Sequence, residues 1–258
     1  MIKAENISKS FDGTIVIEDI NLLFEQGKTN LIIGRSGAGK TVLLKILVGL
    51  LKPTEGAVWY DETDLCCLSK KDLRAIRMKI GMLFQGSALF DSMTIEENVR
   101  FPLDMFTDWT AKEKVDRVNW CLERVNLEGI NDKYPSEASG GMQKRVGIAR
   151  SIVLNPQYLF CDEPNSGLDP KTAILIDELI QDITYDNNIT TIINTHDMNS
   201  VMGIGDNIAL LHDGHLAWTG NKSEVMSSDN ETLQNFIFAS PFLQQLRTAA
   251  LEKEATGS

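Results

Sequence analysis

The 258 residues carry a formal net charge of −11, and 43% of them are apolar, enough for one large globular domain or a core with a subdomain. An acidic surface of this size disfavours nucleic acid and anionic lipid as direct partners, so work at a membrane would need another protein to hold the chain there. Cys66, Cys67, Cys121 and Cys161 show no metal-ligand spacing and read as reduced thiols. The first residues, Met1 to Asn6, lack the basic flank and apolar core of a signal peptide. The most apolar run, Leu43 to Leu51, is interrupted by Lys45 and falls far below the ~20 residues of a membrane span.

The patterning predicts strands over Ile2–Ser8 and Thr14–Phe24, with a turn at Asp12-Gly13. Phe11, just before that turn, suits stacking on a base and ordinary packing equally well. A third strand, Thr29–Ile33, runs into Gly34-Arg35-Ser36-Gly37-Ala38-Gly39-Lys40-Thr41, and a helical pattern follows from Val42 to Leu47. The loop fits G-x-x-x-x-G-K-[ST] at every fixed position, in the strand–loop–helix context where that spacing has meaning. Its glycines let successive N–H groups turn inward, and the helix adds the positive end of its dipole, so the loop makes a nest for phosphate oxygens. Lys40 would reach the β- and γ-phosphates, and the Thr41 hydroxyl would bind Mg²⁺.

Breaks at Gly49 and Pro53 precede a strand over Gly56–Tyr60. A polar helix is expected from Ser69, as N-cap, to Met78. Lys79–Phe84 reads as a buried strand that Gln85 ends and Gly86 breaks. From Ser87 to Val153 helical signals dominate, with Val115, Val118, Leu122 and Val125 near helical spacing in Thr110–Asn126. This region reads as an inserted helical subdomain. At its far end Ser139 suits the N-cap of a helix over Gly140–Leu154. Gly140 and Gly141 in the first turn cost roughly 1 kcal/mol each relative to Ala. A phosphate approaching that backbone would account for them, and so would a merely permissive junction.

Gln157–Pro164 is an apolar run ending in Asp162 and Glu163, the pattern of a buried parallel strand with acids at its carboxyl end, where α/β sheets place ligands. Pro170 suits the first position of a helix over Lys171–Tyr185. Ile189–Thr195 is a strand with His196 at its end, a position that favours a catalytic over a structural histidine. Asn207–Leu211 and His215–Gly220 flank a turn at Asp213-Gly214, with His212 and His215 read as structural. The chain closes with a helix-like stretch, Pro241 to Glu254, and shows no internal repeat or low-complexity linker.

Taken in order, the phosphate loop, Gln85, Ser139-Gly140-Gly141, Asp162-Glu163, Ser166-Gly167-Leu168-Asp169 and His196 resemble the nucleotide-binding subunit of an ABC transporter over about residues 1–240. The resemblance implies an α/β fold: a P-loop NTPase (RecA-like) core with an antiparallel β subdomain, a helical subdomain at about 87–153, and a C-terminal tail at 241–258. It implies an ATPase that uses ATP and Mg²⁺. Phe11 would stack on adenine, and Gly34 to Thr41 would be the Walker A loop. Gln85 would touch Mg²⁺ and the attacking water, Asp162 would hold Mg²⁺, Glu163 would be the general base, and His196 would contact the γ-phosphate. Ser139, Gly140 and Gly141 would close over the ATP of a second subunit, with Asp169 at the seam of a head-to-tail homodimer. Such a pairing brings together a loop site and a signature helix that one chain cannot apply to the same nucleotide if they lie far apart on its surface.

The signature departs from the common pattern at Ala138 and Met142, where Leu and Gln are usual, and Cys161 in the Walker B strand is a small buried hydrophobe. Tyr134-Pro135 before the signature resembles importer-type ATPases, and Ser-Gly-Gly-Met, Glu97 to Leu103, Asn194 to Met198 and a short tail resemble the ATPase of Mla-type phospholipid transporters. That narrower resemblance implies a permease dimer, a lipid-carrier protein and a place on the cytoplasmic face of a bacterial inner membrane. A small-solute importer or a cell-division-type complex remains open, since cargo is read by the permease. A soluble ABC protein of DNA repair or translation is disfavoured by the single nucleotide domain and the acidic charge.

Overall fold

The computed structural model describes residues 1–238, so the stretch Pro241 to Glu254 and the tail at 241–258 lie outside the described residues. The chain forms two compact units. Unit one opens with β1 (Ile2–Phe11), β2 (Thr14–Phe24), β3 (Thr29–Ile33), α1 (Lys40–Leu47), β4 (Glu55–Tyr60) and β5 (Thr63–Asp64). Unit two carries α2 (Lys70–Arg77), β6 (Ile80–Leu83), α3 (Ile95–Phe106), α4 (Ala111–Arg124), α5 (Gly140–Ile152), β7 (Tyr158–Asp162), α6 (Pro170–Asp186) and most of β8 (Thr190–Thr195). Unit one resumes with α7 (Met198–Ile204), β9 (Asn207–His212), β10 (His215–Gly220), α8 (Lys222–Ser227) and α9 (Glu231–Ile237).

The antiparallel sheet of unit one runs β2-β1-β4-β5. Strict alternation would place Ile7 on the opposite face from Ile2 and Ala4, yet all three are buried. The strand solves this with a bulge at Asn6, whose φ is 50°, and β2 answers with Asp19 at φ 48° between buried Ile17 and Ile20. Each irregular residue has its N–H satisfied across the pair. Asn6 donates to Asn21 Oδ1 at 2.9 Å, and Asp19 donates to Ser8 Oγ at 3.0 Å. The hairpin closes with Phe11 opposite Thr14, so β1 runs three residues beyond the Ser8 end expected from sequence.

In the same unit β3 pairs in parallel with β9, and β9 pairs antiparallel with β10. All five residues of β3 are buried, which explains its unbroken β-type run. Its first residue is fastened by Asp206, whose Oδ2 accepts from the Thr29 N–H and hydroxyl, both at 2.9 Å. Helix α1 buries Leu43, Leu44, Ile46 and Leu47, and Tyr60 donates to the Leu47 carbonyl at 2.8 Å. His212 and His215 sit at the β9–β10 turn, 3.4 Å from Asp213 and 3.8 Å from Glu18 respectively.

In unit two β6 pairs in parallel with β7, and β8 lies on the other side of β7. Helix α2 begins at Ser69, which accepts from the Asp72 N–H as the sequence predicts. Helices α3 and α4 both start with reciprocal capping boxes, Thr94 with Glu97 and Thr110 with Glu113. Arg117 of α4 reaches the far end of α5, donating to the carbonyls of Val153 and Ile152 at 2.9 Å each while its guanidinium stacks 4.2 Å from the Trp120 ring. The thiols of Cys121 and Cys161 are fully buried, and burial pushes Cys121 up to about 11 and Cys161 far above the ordinary range. Cys67 is exposed and Cys66 half-buried.

The segment after β6 is tied to α3 by one side chain. Asn98, fully buried, accepts from the Phe90 N–H at 2.8 Å and donates to the carbonyls of Phe90, Met93 and Thr94 at 3.0–3.1 Å. Asn98→Ala takes away the partner of the Phe90 N–H and of the Met93 carbonyl, while the Phe90 and Thr94 carbonyls still accept from the Met93 and Asn98 N–H groups. It should lower the unfolding free energy by about 2–3 kcal/mol, read as a lower urea midpoint at unchanged slope.

Candidate functional site

The residues singled out from sequence fall into two groups, one in each unit. In unit one the loop between β3 and α1 carries Gly34, Gly37 and Gly39 at φ 149°, 85° and 97°. Gly34 has no room for a side chain, since a Cβ there would stand 2.3 Å from the Leu211 carbonyl oxygen of β9. At Gly39 a Cβ would stand 2.3 Å from Ile17 Cγ2. Gly39 is also the N-cap of α1, with no side-chain cap, so the first turn presents its amides to the loop. Lys40 is buried and its ammonium spans the loop, donating to the carbonyls of Gly34 at 2.8 Å and Arg35 at 3.2 Å. Ala38 closes the turn by donating to the Arg35 carbonyl at 3.2 Å. Backbone amides, a helix N-terminus and an ammonium in one loop form a donor set that fits the phosphates of a nucleotide. Thr41, the second residue of α1, adds the hydroxyl suited to a hard cation.

Two further residues of unit one complete its group. Phe11 ends β1 at the hairpin and is 43% exposed, so core packing does not account for it; the Lys9 ammonium lies 5.0 Å from its ring centre. His196 follows β8 directly and is exposed, ahead of Asp197, which caps α7 through the Asn199 N–H at 2.8 Å.

In unit two β7 is buried through Cys161, and Asp162 and Glu163 emerge half-buried at its end. Glu163 takes φ 49°, an uncommon state for a non-glycine residue. The chain then turns sharply: the Ser166 N–H donates to the Glu163 carbonyl at 3.2 Å, and the Leu168 N–H to the Asn165 carbonyl at 3.1 Å. Asn165 donates to the buried Asp177 carboxylate at 2.8 Å, tying the turn to α6. Asp169 caps α6, accepting from the Lys171 and Thr172 amides at 3.1 Å and the Thr172 hydroxyl at 2.5 Å. The Thr172 bonds hold its carboxyl below the usual carboxylate range. Gln85 is exposed and donates through Nε2 to Ser166 Oγ at 3.3 Å, so the two loops meet.

Ser139 caps α5, accepting from the Met142 N–H at 3.3 Å. Its first glycines sit against the start of α6. A Cβ on Gly140 would lie 3.8 Å from Leu168, and one on Gly141 only 2.7 Å from Thr172 Cγ2. Close helix packing is therefore a reason for Gly141 that the sequence did not suggest. The structure thus brings Ser139, Gly140 and Gly141 beside Asp169. Ala138 lacks an apolar anchor, but Gln143 holds this segment by donating to the carbonyls of Pro135 at 2.9 Å and Ala138 at 3.1 Å.

Helix α5 also carries residues that sequence reasoning passed over. Lys144 donates to the Gln85 carbonyl, and Arg150 donates to the carbonyls of Ser87 and, at 2.8 Å, Ala88. Between them Gly147 lets Leu83 and Ser87 approach, since a Cβ there would lie 2.7 Å from Leu83 Cδ1. Burial lowers both cations' pKa values, while the nearby carboxylates of Glu163 and Asp162 oppose this at Lys144. The spacing of three between Lys144, Gly147 and Arg150 was the available signal, one helix stripe facing one loop. Beside that loop lies a groove of about 410 Å³ whose walls include Phe84, Phe90, Phe101 and Phe106, with Arg77 and Arg150 among its polar lining.

A family model described as ABC transporter matches residues 17–166. The probable ribonucleotide transport ATP-binding protein mkl of Mycobacterium leprae is 40% identical over 236 residues, covering 92% of this chain and 68% of that protein. The methionine import ATP-binding protein MetN 3 of Shouchella clausii is 38% identical over 259 residues, covering 99% of this chain and 74% of its own. Among solved structures, the dimeric post-hydrolysis state of the ATP-binding cassette MJ0796 bound to ADP and Pi shares 33% identity at a TM-score of 0.79, covering 86% of this chain and 99% of that one. The cbiO1 protein of Clostridium perfringens, part of the ABC transporter complex cbiONQ, shares 31% identity at 0.82, covering 95% of this chain and 97% of that one.

The glycines of the loop differ in what they tolerate. Gly37→Ala meets no atom within 4 Å and should cost only the about 1–2 kcal/mol of a left-handed residue. Gly34→Ala must also displace the Leu211 carbonyl and should cost clearly more. Urea unfolding of both variants checks the ranking, and equal losses would remove the Leu211 contact as the constraint.

Proposed function

The chain belongs to the ABC transporter family as an ATP-hydrolysing subunit, and from that premise we propose that it drives phospholipid movement between bacterial membranes through a separate permease. The observation that carries the transport reading is the aromatic groove beside the Gln85 loop. Its occupant, in this reading, is a short cytoplasmic helix of the permease, laying apolar side chains between Phe84, Phe90, Phe101 and Phe106. Among the described residues no helix is long and apolar enough to cross a membrane, so the partner supplies that part. The phospholipid cargo is supported by Ser-Gly-Gly-Met, Glu97 to Leu103 and Asn194 to Met198, which resemble the Mla-type ATPases. The chain would then sit on the cytoplasmic face of the inner membrane, with a lipid-carrier protein as a further partner. The names of the relatives, which refer to ribonucleotide transport and methionine import, favour a second reading in which the cargo is a small solute.

In the hydrolysis itself the chain's own residues have separable tasks. Phe11 stacks on the adenine, and Lys40 with the amides of Gly34 to Thr41 holds the phosphates. Thr41, Gln85 and Asp162 are the residues that would hold Mg²⁺, which when bound would neutralise charge at the phosphate oxygens. Glu163 orients a water and accepts its proton as the bond to the leaving ADP breaks. His196 contacts the γ-phosphate. Ser139, Gly140 and Gly141 cover the nucleotide of a second copy, with Asp169 at the seam, so ATP joins two chains and hydrolysis releases them.

Glu163→Gln should lower turnover about 10²–10⁴-fold and leave an ATP-bound dimer that persists in size-exclusion chromatography with light scattering. Normal turnover in this variant sinks the general-base assignment. Lys40→Ala should abolish most turnover by weakening the hold on the phosphates. For cargo, the chain is recovered in detergent from its native membranes, and co-purifying proteins and lipids are identified by mass spectrometry. A permease with a lipid carrier and glycerophospholipid supports the proposal, whereas a permease with a soluble-solute receptor replaces the cargo.

A further inference from the structure

Lys144 is a cation placed where cations are costly. Its residue is 5% exposed, and an ammonium at that depth needs compensation. Part comes from Asp162 and Glu163, close enough for their charges to act on it. The direct partner is the backbone carbonyl of Gln85, to which Nζ donates. The same glutamine is held at its other end, where Nε2 donates to Ser166 Oγ at 3.3 Å. Ser166 in turn donates its N–H to the Glu163 carbonyl at 3.2 Å. A short chain of hydrogen bonds therefore runs from α5, through Gln85, to the turn that bears Glu163.

We propose that Lys144 is a positioning residue for ATP hydrolysis: by gripping the Gln85 carbonyl from the signature helix it fixes the direction of the Gln85 side chain against the Ser166–Glu163 turn. The proposal rests on the assignment of Gln85 and Glu163 to the reaction. Lys144 acts through the Gln85 carbonyl it grips, and its charge is also felt by Asp162 and Glu163. The rest of the loop has its own fastenings, Gly147 beneath Leu83 and Ser87, Arg150 on Ser87 and Ala88, and Asn98 on Phe90. Loss of Lys144 therefore loosens Gln85 while leaving its neighbours held.

The test compares Lys144→Met, which keeps the stem and removes the charge and donors, with Lys144→Arg, which restores a donor. Each full-length protein is assayed for kcat and KM for ATP, for thermal melting, and for amide hydrogen exchange over residues 84–88. Lys144→Met should lower kcat about ten- to a hundredfold with KM little changed, and exchange near Gln85 should rise. Lys144→Arg should recover most of both. Ser166→Ala removes the acceptor at the other end of Gln85, and its loss should be less than additive with that of Lys144→Met. An unchanged kcat in Lys144→Met overturns the proposal. So does a loss that Arg does not rescue and that follows a lower melting temperature in both variants. If Lys144→Met does not fold, Lys144→Gln is assayed in its place with the same criteria. Glu163→Gln, run alongside, separates the two levels: normal turnover there removes the hydrolysis assignment, whereas a dead Glu163→Gln beside an active Lys144→Met removes only the role of Lys144.

Discussion

A loop that shows a glutamine to solvent must satisfy its own carbonyls from behind, and in unit two α5 does this. Its stripe of Lys144, Gly147 and Arg150 supplies a donor, a gap and a second donor to successive parts of the segment 83–88. Two residues of that segment, Ser87 and Ala88, hold left-handed backbone at φ 60° and 48°, a conformation that persists only where neighbours enforce it. Three consecutive side chains of the helix, Gln143, Lys144 and Arg145, point to three different loops, because each step turns by about 100°. The same helix begins at Ser139 and packs Gly141 on α6. Gln85, the signature residues and the Asp169 cap are thus arranged around one rigid element.

Unit one achieves its loop by different means. There the backbone is shaped by exclusion, with Gly34 pressed on the Leu211 carbonyl and Gly39 on Ile17. The strands that crowd the loop are themselves set by the paired irregularities at Asn6 and Asp19, which bring Ile7 and Ile17 to the buried face. The phosphate loop therefore depends on residues of β2 and β9 that carry no chemistry. Carbonyl crowding of this kind leaves no tolerance for a methyl group, whereas the open position at Gly37 does.

The elements most legible in the sequence were those with local signatures. The run Thr29–Ile33, the cap at Ser69, the cap at Ser139 and the acids at the end of β7 announce themselves by composition and spacing. Helix α3 was not separately legible because Pro102 interrupts its pattern, although its capping box at Thr94 and Glu97 is a clear start. The short pieces β5, α7, α8 and α9 carry too few residues for a period to show. In the candidate site, the residue types and their order were legible. Lys144 was not, because it matters through Gln85, 59 positions away, while Asn165 with Asp177 and Asn98 with Phe90 are nearer pairs, 12 and 8 positions apart, that only the folded turns bring together. Gly141 was visible as an anomaly in a helix start, but its cause, Thr172, lies on another helix.

The cysteines divide in a way that bears on how this protein ages. Cys121 and Cys161 are enclosed, and at neutral pH almost none of either is thiolate, the form that reacts. Cys67 is open to solvent and Cys66 beside it is partly so. Peroxide or an alkylating reagent therefore meets a thiol in the Leu65–Cys67 turn first, and the strand that ends in Asp162 keeps its sulfur reduced. Chemical wear would accumulate at that turn long before it reached β7. A dye carried on Cys67 would likewise mark the folded chain at a known point while the enclosed thiols stayed silent.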